Sequence, residues 1–127
     1  MTTTTNDLWI VGRRMLGSTF IGVFPLDRLP PLSSIASYSS FIVNTQPANL
    51  PGMHWLAVFA SPSLTYVFDP LGAYNYPHHL VDYLHRDSKR RVVYNTRVIQ
   101  NPQTSLCGQH CLQWLKGMWY MPVSVCV

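Results

Sequence analysis

Two cysteines lie four residues apart near the end of the sequence, directly after a polar loop. The stretch at 99–111 reads IQNPQTSLCGQHC and contains Cys107 and Cys111. Thr104 and Ser105 are suitable N-cap residues, and apolar residues at helical spacing follow them. A thiol in the first turn of a helix faces unpaired backbone N–H groups and the positive end of the helix dipole, which favour the thiolate. The pattern therefore predicts a nucleophile at Cys107 and a small core residue at Cys111.

A histidine and an aspartate flank two consecutive runs that resemble strands. His54 opens HWLAVFA, and Asp69 directly follows TYVF. If these runs form a hairpin centred between Ser61 and Pro62, His54 lies opposite Asp69. Cross-strand neighbours have Cβ atoms roughly 4.5 to 5.5 Å apart, so the carboxylate would hold one ring nitrogen while the other addresses a thiol. The alternative is a hydrogen-bonded strand histidine and an Asp-Pro pair that merely ends a strand.

A metal site is a further interpretation of the cysteine stretch. Cys107, His110 and Cys111 could supply zinc ligands, but no second ligand pair follows at the usual spacing. His78 and His79 lie on an unrelated segment. We therefore expect no metal.

The elements that must position these residues alternate between strand-like and helical patterns. Runs rich in β-branched and aromatic residues predict strands, and Leu80, Val81 and Leu84 at helical spacing predict a helix. The predicted strands lie at 8–11, 19–24, 40–45, 54–60, 65–68 and 91–99, and the predicted helices at 78–91 and from 104 or 105 onward. This order indicates an α+β fold in a single domain, 1–127, with 1–6 as a frayed tail.

Composition narrows the class of protein further. Hydrophobic residues make up 47% of the 127 residues, yet no apolar run approaches the roughly 18 residues of a membrane span. The first residues lack the basic and apolar stretches of a secretory signal, and three cysteines are too few for a disulfide scaffold. We therefore expect a soluble protein in a reducing, intracellular compartment. The net charge of +4 favours polyanionic partners, and a basic run is the candidate contact. It consists of Arg86, Lys89, Arg90 and Arg91.

Three sequence blocks resemble a known family. The blocks FIVNTQPANLPGMHWLAVFA, YVFDPLG and IQNPQTSLCGQHC are similar to the active-site blocks of the adenovirus protease family, the adenain-type cysteine peptidases. That family shares its fold with the SUMO-deconjugating peptidases. The resemblance implies a papain-like core in which a small mixed sheet packs on a central helix bearing the nucleophile. It also implies a catalytic set of His54, Asp69, Gln100 and Cys107, in that chain order.

The resemblance carries a mechanism and a biological setting. It implies a viral or virus-like cysteine endopeptidase that processes virion precursor proteins in the infected-cell nucleus and the virion. The Gln100 amide would stabilise the oxyanion, with Gln103 as a rival for that role. No cofactor is required for the chemistry, although DNA or a peptide activator is implied as a partner. No membrane partner is expected, and the oligomeric state stays open.

Departures from the family leave alternatives open. Adenoviral enzymes more often have Glu where this chain has Asp69, and they continue through a further helical region. The cysteine that links some of them to a viral peptide activator falls near Lys89, so covalent activation is not implied. A ubiquitin-like protein deconjugase would use the same residues. An inactive structural relative is the nonenzymatic alternative.

Overall fold

The chain folds around one mixed β-sheet. The computed structural model describes residues 5–35, 37–45, 54–69, 76–87, 89–94 and 111–116. The helices within these ranges are α1 (Thr5–Leu16), α2 (His78–His85) and a helical segment at 111–116. The strands are β1 (Phe20–Pro25), β2 (Ser39–Asn44), β3 (Trp55–Ala60), β4 (Leu64–Phe68) and β5 (Arg91–Tyr94). None of the described helices is both long and apolar enough to cross a bilayer.

The directions of the strands determine which strand ends lie next to each other. The spatial order is β1-β2-β3-β4-β5, with β1 and β2 parallel, β3 antiparallel to both neighbours, and β4 and β5 parallel. Four strands therefore run in one direction and β3 runs in the other. As a result, the start of β3 and the end of β4 lie at the same end of the sheet. His54 immediately precedes β3 and Asp69 immediately follows β4, so the topology brings both residues to that end of the sheet.

Both faces of the sheet are buried. One face packs against α1 and the 111–116 segment, and the other packs against α2 and the loop after β1. Every residue of β2 and of β3 is buried. Strands covered on both sides are apolar along their whole length, which explains why FIV and WLAVFA show no polar alternation. The α+β class and the mixed sheet are as predicted, whereas Cys107 lies outside the described residues, so the helix expected to carry it stays a prediction.

Two predictions about the first residues of the chain are wrong, because helix α1 lies there. Residues 8–11 are not a strand but part of α1, and the helix begins at Thr5, inside the predicted tail. The run LWIV is too short to distinguish the two periods. Leu8 and Gly12 are buried, and Leu16 packs against the same core four residues later, which is the helical period. A Cβ on Gly12 would lie 2.4 Å from the Phe20 ring, so only glycine permits this approach of α1 to β1.

The connection from α2 to β5 differs from the predicted long basic helix end. Helix α2 ends at His85, and the Arg90 guanidinium lies 2.7 Å from the Asp87 carboxylate. Arg90 Nε also donates to the Ser61 carbonyl, at 2.6 Å. The Arg90 side chain is only 9% exposed. Arg90 therefore joins this connection to the β3–β4 turn, rather than belonging to a solvated helix end.

The outer strand β1 is irregular. Its pairing with β2 shifts between Phe20 and Gly22, and Gly22 has a φ of +142°. The Trp9 indole covers Gly22 so closely that a Cβ there would lie 2.4 Å from a ring carbon. A positive φ and this contact both require glycine. The bulge thus ties α1 to the edge of the sheet.

Candidate active site

The turn between β3 and β4 sets the register of the hairpin. The observed pairs include Ala57 with Phe68 and Val58 with Val67, so the predicted register is wrong by two residues. Ser61 N–H donates to the Leu64 carbonyl at 2.8 Å, which makes Pro62 the first of two central turn residues. The predicted centre between Ser61 and Pro62 required a four-residue loop, because a two-residue turn there would make Pro62 the second central residue, where proline is disfavoured. Its fixed φ suits the first position instead.

His54 and Asp69 are nevertheless in contact. Because side chains alternate with a period of two, a shift by two residues leaves both on the same face. Continued past the last pair, the observed register would set Asp69 opposite Leu56, so His54 is its diagonal neighbour. The imidazole spans this step, and His54 Nε2 lies 2.7 Å from Asp69 Oδ1. The carboxylate is almost fully buried, whereas the imidazole is 22% exposed. The pair is therefore open to solvent on the histidine side only.

The backbone of His54 is fixed by β2. The observed pairing of β2 with β3 continues to Thr45, whose N–H donates to the His54 carbonyl at 3.0 Å. The Thr45 hydroxyl donates to the same oxygen at 3.4 Å. Sequence reasoning assigned Thr45 to a strand but gave it no contact with His54. The β2–β3 register, in which paired residue numbers sum to 99, would have revealed it.

Tyr76 lies near the buried Asp69 carboxylate, and its ring contacts that of Tyr94. The rings of Tyr76 and Tyr94 lie 4.6 Å apart between centroids. Burial raises the pKa of the Tyr76 phenol well above its ordinary value, and the charges of Asp69 and Tyr94 raise it further. Burial also raises the pKa of Tyr94. Both phenols therefore stay neutral at physiological pH, and Tyr76 adds no second negative charge near Asp69.

The helical segment 111–116 docks on the immediate neighbours of this pair. The Cys111 thiol donates to the Trp55 carbonyl at 3.4 Å, and the Trp114 ring stacks on Phe68 with centroids 5.0 Å apart. Trp55 follows His54 in the chain, and Phe68 precedes Asp69. Cys111 is fully buried, as expected for a core residue. The segment that continues the nucleophile stretch is thus anchored beside both members of the pair.

Several predicted site residues lie outside the described residues. Gln100, its rival Gln103 and Cys107 belong to this group, as does His110 of the weighed zinc site. Of that site, Cys111 alone is described. Among the described residues, no group of three or more His, Cys, Asp or Glu side chains could hold a metal ion.

The basic run is only partly available to a polyanion. Arg90 is held by Asp87 and the Ser61 carbonyl. Arg86 lies over the Tyr83 ring, with its guanidinium carbon 5.9 Å from the centroid, and the residue is exposed. Lys89 and Arg91 are exposed as well. A nucleic-acid contact by this run would therefore use three of the four predicted cations.

Similarity to known proteins extends over most of the chain. A family model described as adenovirus endoprotease matches residues 20–125, a range that contains all four predicted catalytic residues. The chain is also 31% identical over 121 residues to a protein named protease from human adenovirus A serotype 12. That alignment covers 84% of this chain and 58% of the viral protein. The chain therefore spans less than two thirds of that relative's length.

Proposed function

Because the chain belongs to the adenovirus endoprotease family, we propose that it is a cysteine endopeptidase that processes virion precursor proteins. The resemblance read from the three sequence blocks is confirmed by the family match. The observation that carries the proposed activity is the His54–Asp69 contact of 2.7 Å, with the imidazole partly exposed, where β3 begins and β4 ends. The docking of segment 111–116 beside that contact supports a thiol as its partner.

From this contact we infer different tasks for the two ring nitrogens. His54 Nε2–H donates to Asp69, so Nδ1 is the nitrogen that takes the proton of the Cys107 thiol. The carboxylate fixes this tautomer and balances the imidazolium that forms. Asp69 is buried directly after the end of β4, so it can orient the ring without competing for substrate.

The reaction is an acyl transfer in two steps. The Cys107 thiolate attacks the scissile carbonyl, and the Cys107 N–H with the Gln100 amide stabilises the oxyanion. The imidazolium then protonates the leaving amine as the thioester forms. Water, deprotonated by His54, hydrolyses the thioester and frees the thiol. Removal of one oxyanion donor costs about 2.7 to 4 kcal/mol of transition-state stabilisation in comparable sites.

We further propose that the enzyme acts in the infected cell and the virion. DNA or a viral peptide is the proposed activator, since the family uses such partners and the chain carries a net charge of +4. The exposed Arg86, Lys89 and Arg91 are the proposed phosphate contacts. Such contacts would make DNA affinity fall steeply as the salt concentration rises.

Selective alkylation tests the proposed nucleophile. A thiol activated by a helix start and by His54 ionises at lower pH than an ordinary thiol. Iodoacetamide should therefore modify Cys107 at mildly acidic pH, while Cys111 and Cys126 react later, as read by mass spectrometry across a pH series. His54→Ala should remove this selectivity. If Cys107 reacts like the other two cysteines in the folded protein, the chain is an inactive relative rather than a peptidase.

A further inference from the structure

A cleft lies between the loop after β1 and helix α2. It is distinct from the proposed catalytic residues. Its volume is about 350 Å³, within the range of ligand-binding clefts. Neither His54 nor Asp69 lines it. The lining residues come from the loop, from one face of α2 and from the residue that follows α2. They are Asp27, Arg28, Leu29, Pro30, Pro31, Leu32, His79, Tyr83 and Arg86.

The charges at this cleft favour an anion. Arg28 and Arg86 line it from opposite sides, one on the loop and one directly after the last residue of α2, and both are exposed. Asp27 is the one carboxylate among the lining residues. His79 lies in the first turn of α2, where the helix dipole also favours a negative group. Charged donors on opposite walls suit a carboxylate or phosphate placed between them.

The frame of the cleft is preformed. The Tyr83 hydroxyl donates to the Pro30 carbonyl and fastens the loop to α2. The loop is closed on itself by hydrogen bonds from Arg28 N–H to the Pro25 carbonyl and from Ser34 N–H to the Pro31 carbonyl. Adjacent prolines restrict the loop further. A fixed frame lowers the entropy that is lost when a ligand binds.

The apolar residues that line the cleft favour a peptide over a free anion as its ligand. Leu29 and Leu32 are half-buried and Pro31 is exposed, so the loop offers apolar surface next to the cations. Hydrated phosphate would leave that surface uncovered. A peptide segment with acidic and aliphatic side chains would fill both parts of the cleft.

We propose that this cleft binds an acidic peptide segment of a partner protein, with carboxylates between Arg28 and Arg86 and aliphatic side chains against the loop. This binding does not depend on the proposed peptidase activity. It can therefore be measured in the His54→Ala protein, where the peptide stays intact.

The test is fluorescence anisotropy with a labelled peptide rich in Glu and Leu, and a matched peptide rich in Gln and Leu. Binding of the Glu peptide is expected, with clearly weaker binding of the Gln peptide. Arg28→Gln and Arg86→Gln should each weaken binding of the Glu peptide about tenfold, the effect of one charge-assisted hydrogen bond. Arg14→Gln is the matched control, because Arg14 is exposed on α1 and does not line the cleft. It should change binding less than about twofold.

Four results would overturn the proposal. One is the absence of binding to the Glu peptide by protein whose circular dichroism is native, and a second is equal binding of the two peptides. Equal weakening by all three substitutions would mean that net charge alone attracts the peptide. Duplex DNA that displaces the peptide, and loses affinity through the same two cleft substitutions, would make the cleft a phosphodiester site. Arg28→Lys and Arg86→Lys keep the charge and should retain part of the affinity.

Discussion

His54 Nε2 lies 2.7 Å from Asp69 Oδ1, although the two residues are diagonal rather than opposite neighbours in the hairpin. A histidine ring is long enough to span the diagonal, whereas a shorter side chain would not reach. The carboxylate is buried and the ring is partly exposed, so the proposed orienting group is protected and the proposed proton-transfer group is accessible. This arrangement is what a thiol peptidase requires of its base.

Asp69→Asn should leave the fold intact and lower turnover of a peptide substrate by about 10²- to 10⁴-fold. The amide is nearly isosteric, but it can stabilise the wrong tautomer of His54 and cannot balance the imidazolium. Steady-state kinetics measures the loss, with circular dichroism as the control for folding. Activity within a few-fold of the parent would remove Asp69 from the mechanism.

Cys111→Ala should act on stability instead of on chemistry. The substitution removes a buried sulfur and its hydrogen bond to the Trp55 carbonyl, at a cost of about 1 to 2 kcal/mol in the free energy of unfolding. Urea denaturation gives the cost, and peptide kinetics below the transition should stay within a few-fold of the parent. Loss of activity as complete as that of Cys107→Ala would contradict separate roles for the two cysteines.

Arg90→Gln should destabilise the protein by roughly 1 to 3 kcal/mol at neutral pH, because the Asp87 carboxylate and the Ser61 carbonyl lose a charged donor. Burial opposes the charged form of Asp87, but hydrogen bonds from Arg90 and the Lys89 N–H outweigh it and lower the pKa. A depressed carboxyl pKa contributes stability above the unfolded value of about 3.9, and this contribution disappears as the pH falls through the folded value.

The destabilisation by Arg90→Gln should therefore shrink in urea denaturation as the pH falls below the ordinary carboxyl value of about 3.9 and through the lowered pKa of Asp87. Arg91→Gln, at an exposed neighbour, is the control and should change stability by less than about 0.5 kcal/mol. An Arg90→Gln penalty that is identical at neutral and at acidic pH would show that Asp87 contributes nothing through its charge.

Tyr83→Phe should cost about 1 kcal/mol at neutral pH, because the hydrogen bond to the Pro30 carbonyl is lost. Burial raises the pKa of Tyr83 to about 12. Between the unfolded value of about 10 and this folded value, the unfolded chain releases the proton first. The stability that Tyr83 contributes is complete below pH 10 and falls as the pH rises through this window.

The difference between the parent and Tyr83→Phe should therefore narrow above about pH 10. Chemical denaturation at neutral and at alkaline pH measures it, and tyrosines elsewhere cancel in the comparison. Tyr38→Phe, at an exposed tyrosine, serves as the control. A difference that grows with pH would contradict the raised pKa.

Local pattern predicted the central strands but not the first helix. HWLAVFA and TYVF are rich in β-branched and aromatic residues, and both form strands that bury nearly every side chain. LWIV has a similar composition, yet it belongs to α1. Gly12 admits the Phe20 ring from a different element, and no pattern within the run LWIV contains that contact.

The His54–Asp69 contact was predictable because it tolerates an error in register. The predicted pairing of β3 with β4 is wrong by two residues, and a period of two preserves the face on which both side chains lie. An error of one residue would have separated them. Long-range contacts such as Cys111 with Trp55 were not predictable, because they depend on how a helix docks across the sheet.

The irregular strand β1 also bears on how copies of this chain behave at high concentration. An outer strand with free backbone groups is a template on which another chain can add a strand and begin aggregation. Here the template is interrupted three times, by the bulge at Gly22, by the Trp9 indole over it and by Pro25 at the strand end. Replacement of Trp9 by a small side chain would uncover the bulge. The bulge at Gly22 and its contact with Trp9, which fix α1 to the sheet, therefore also hinder the pairing of β1 with a second copy.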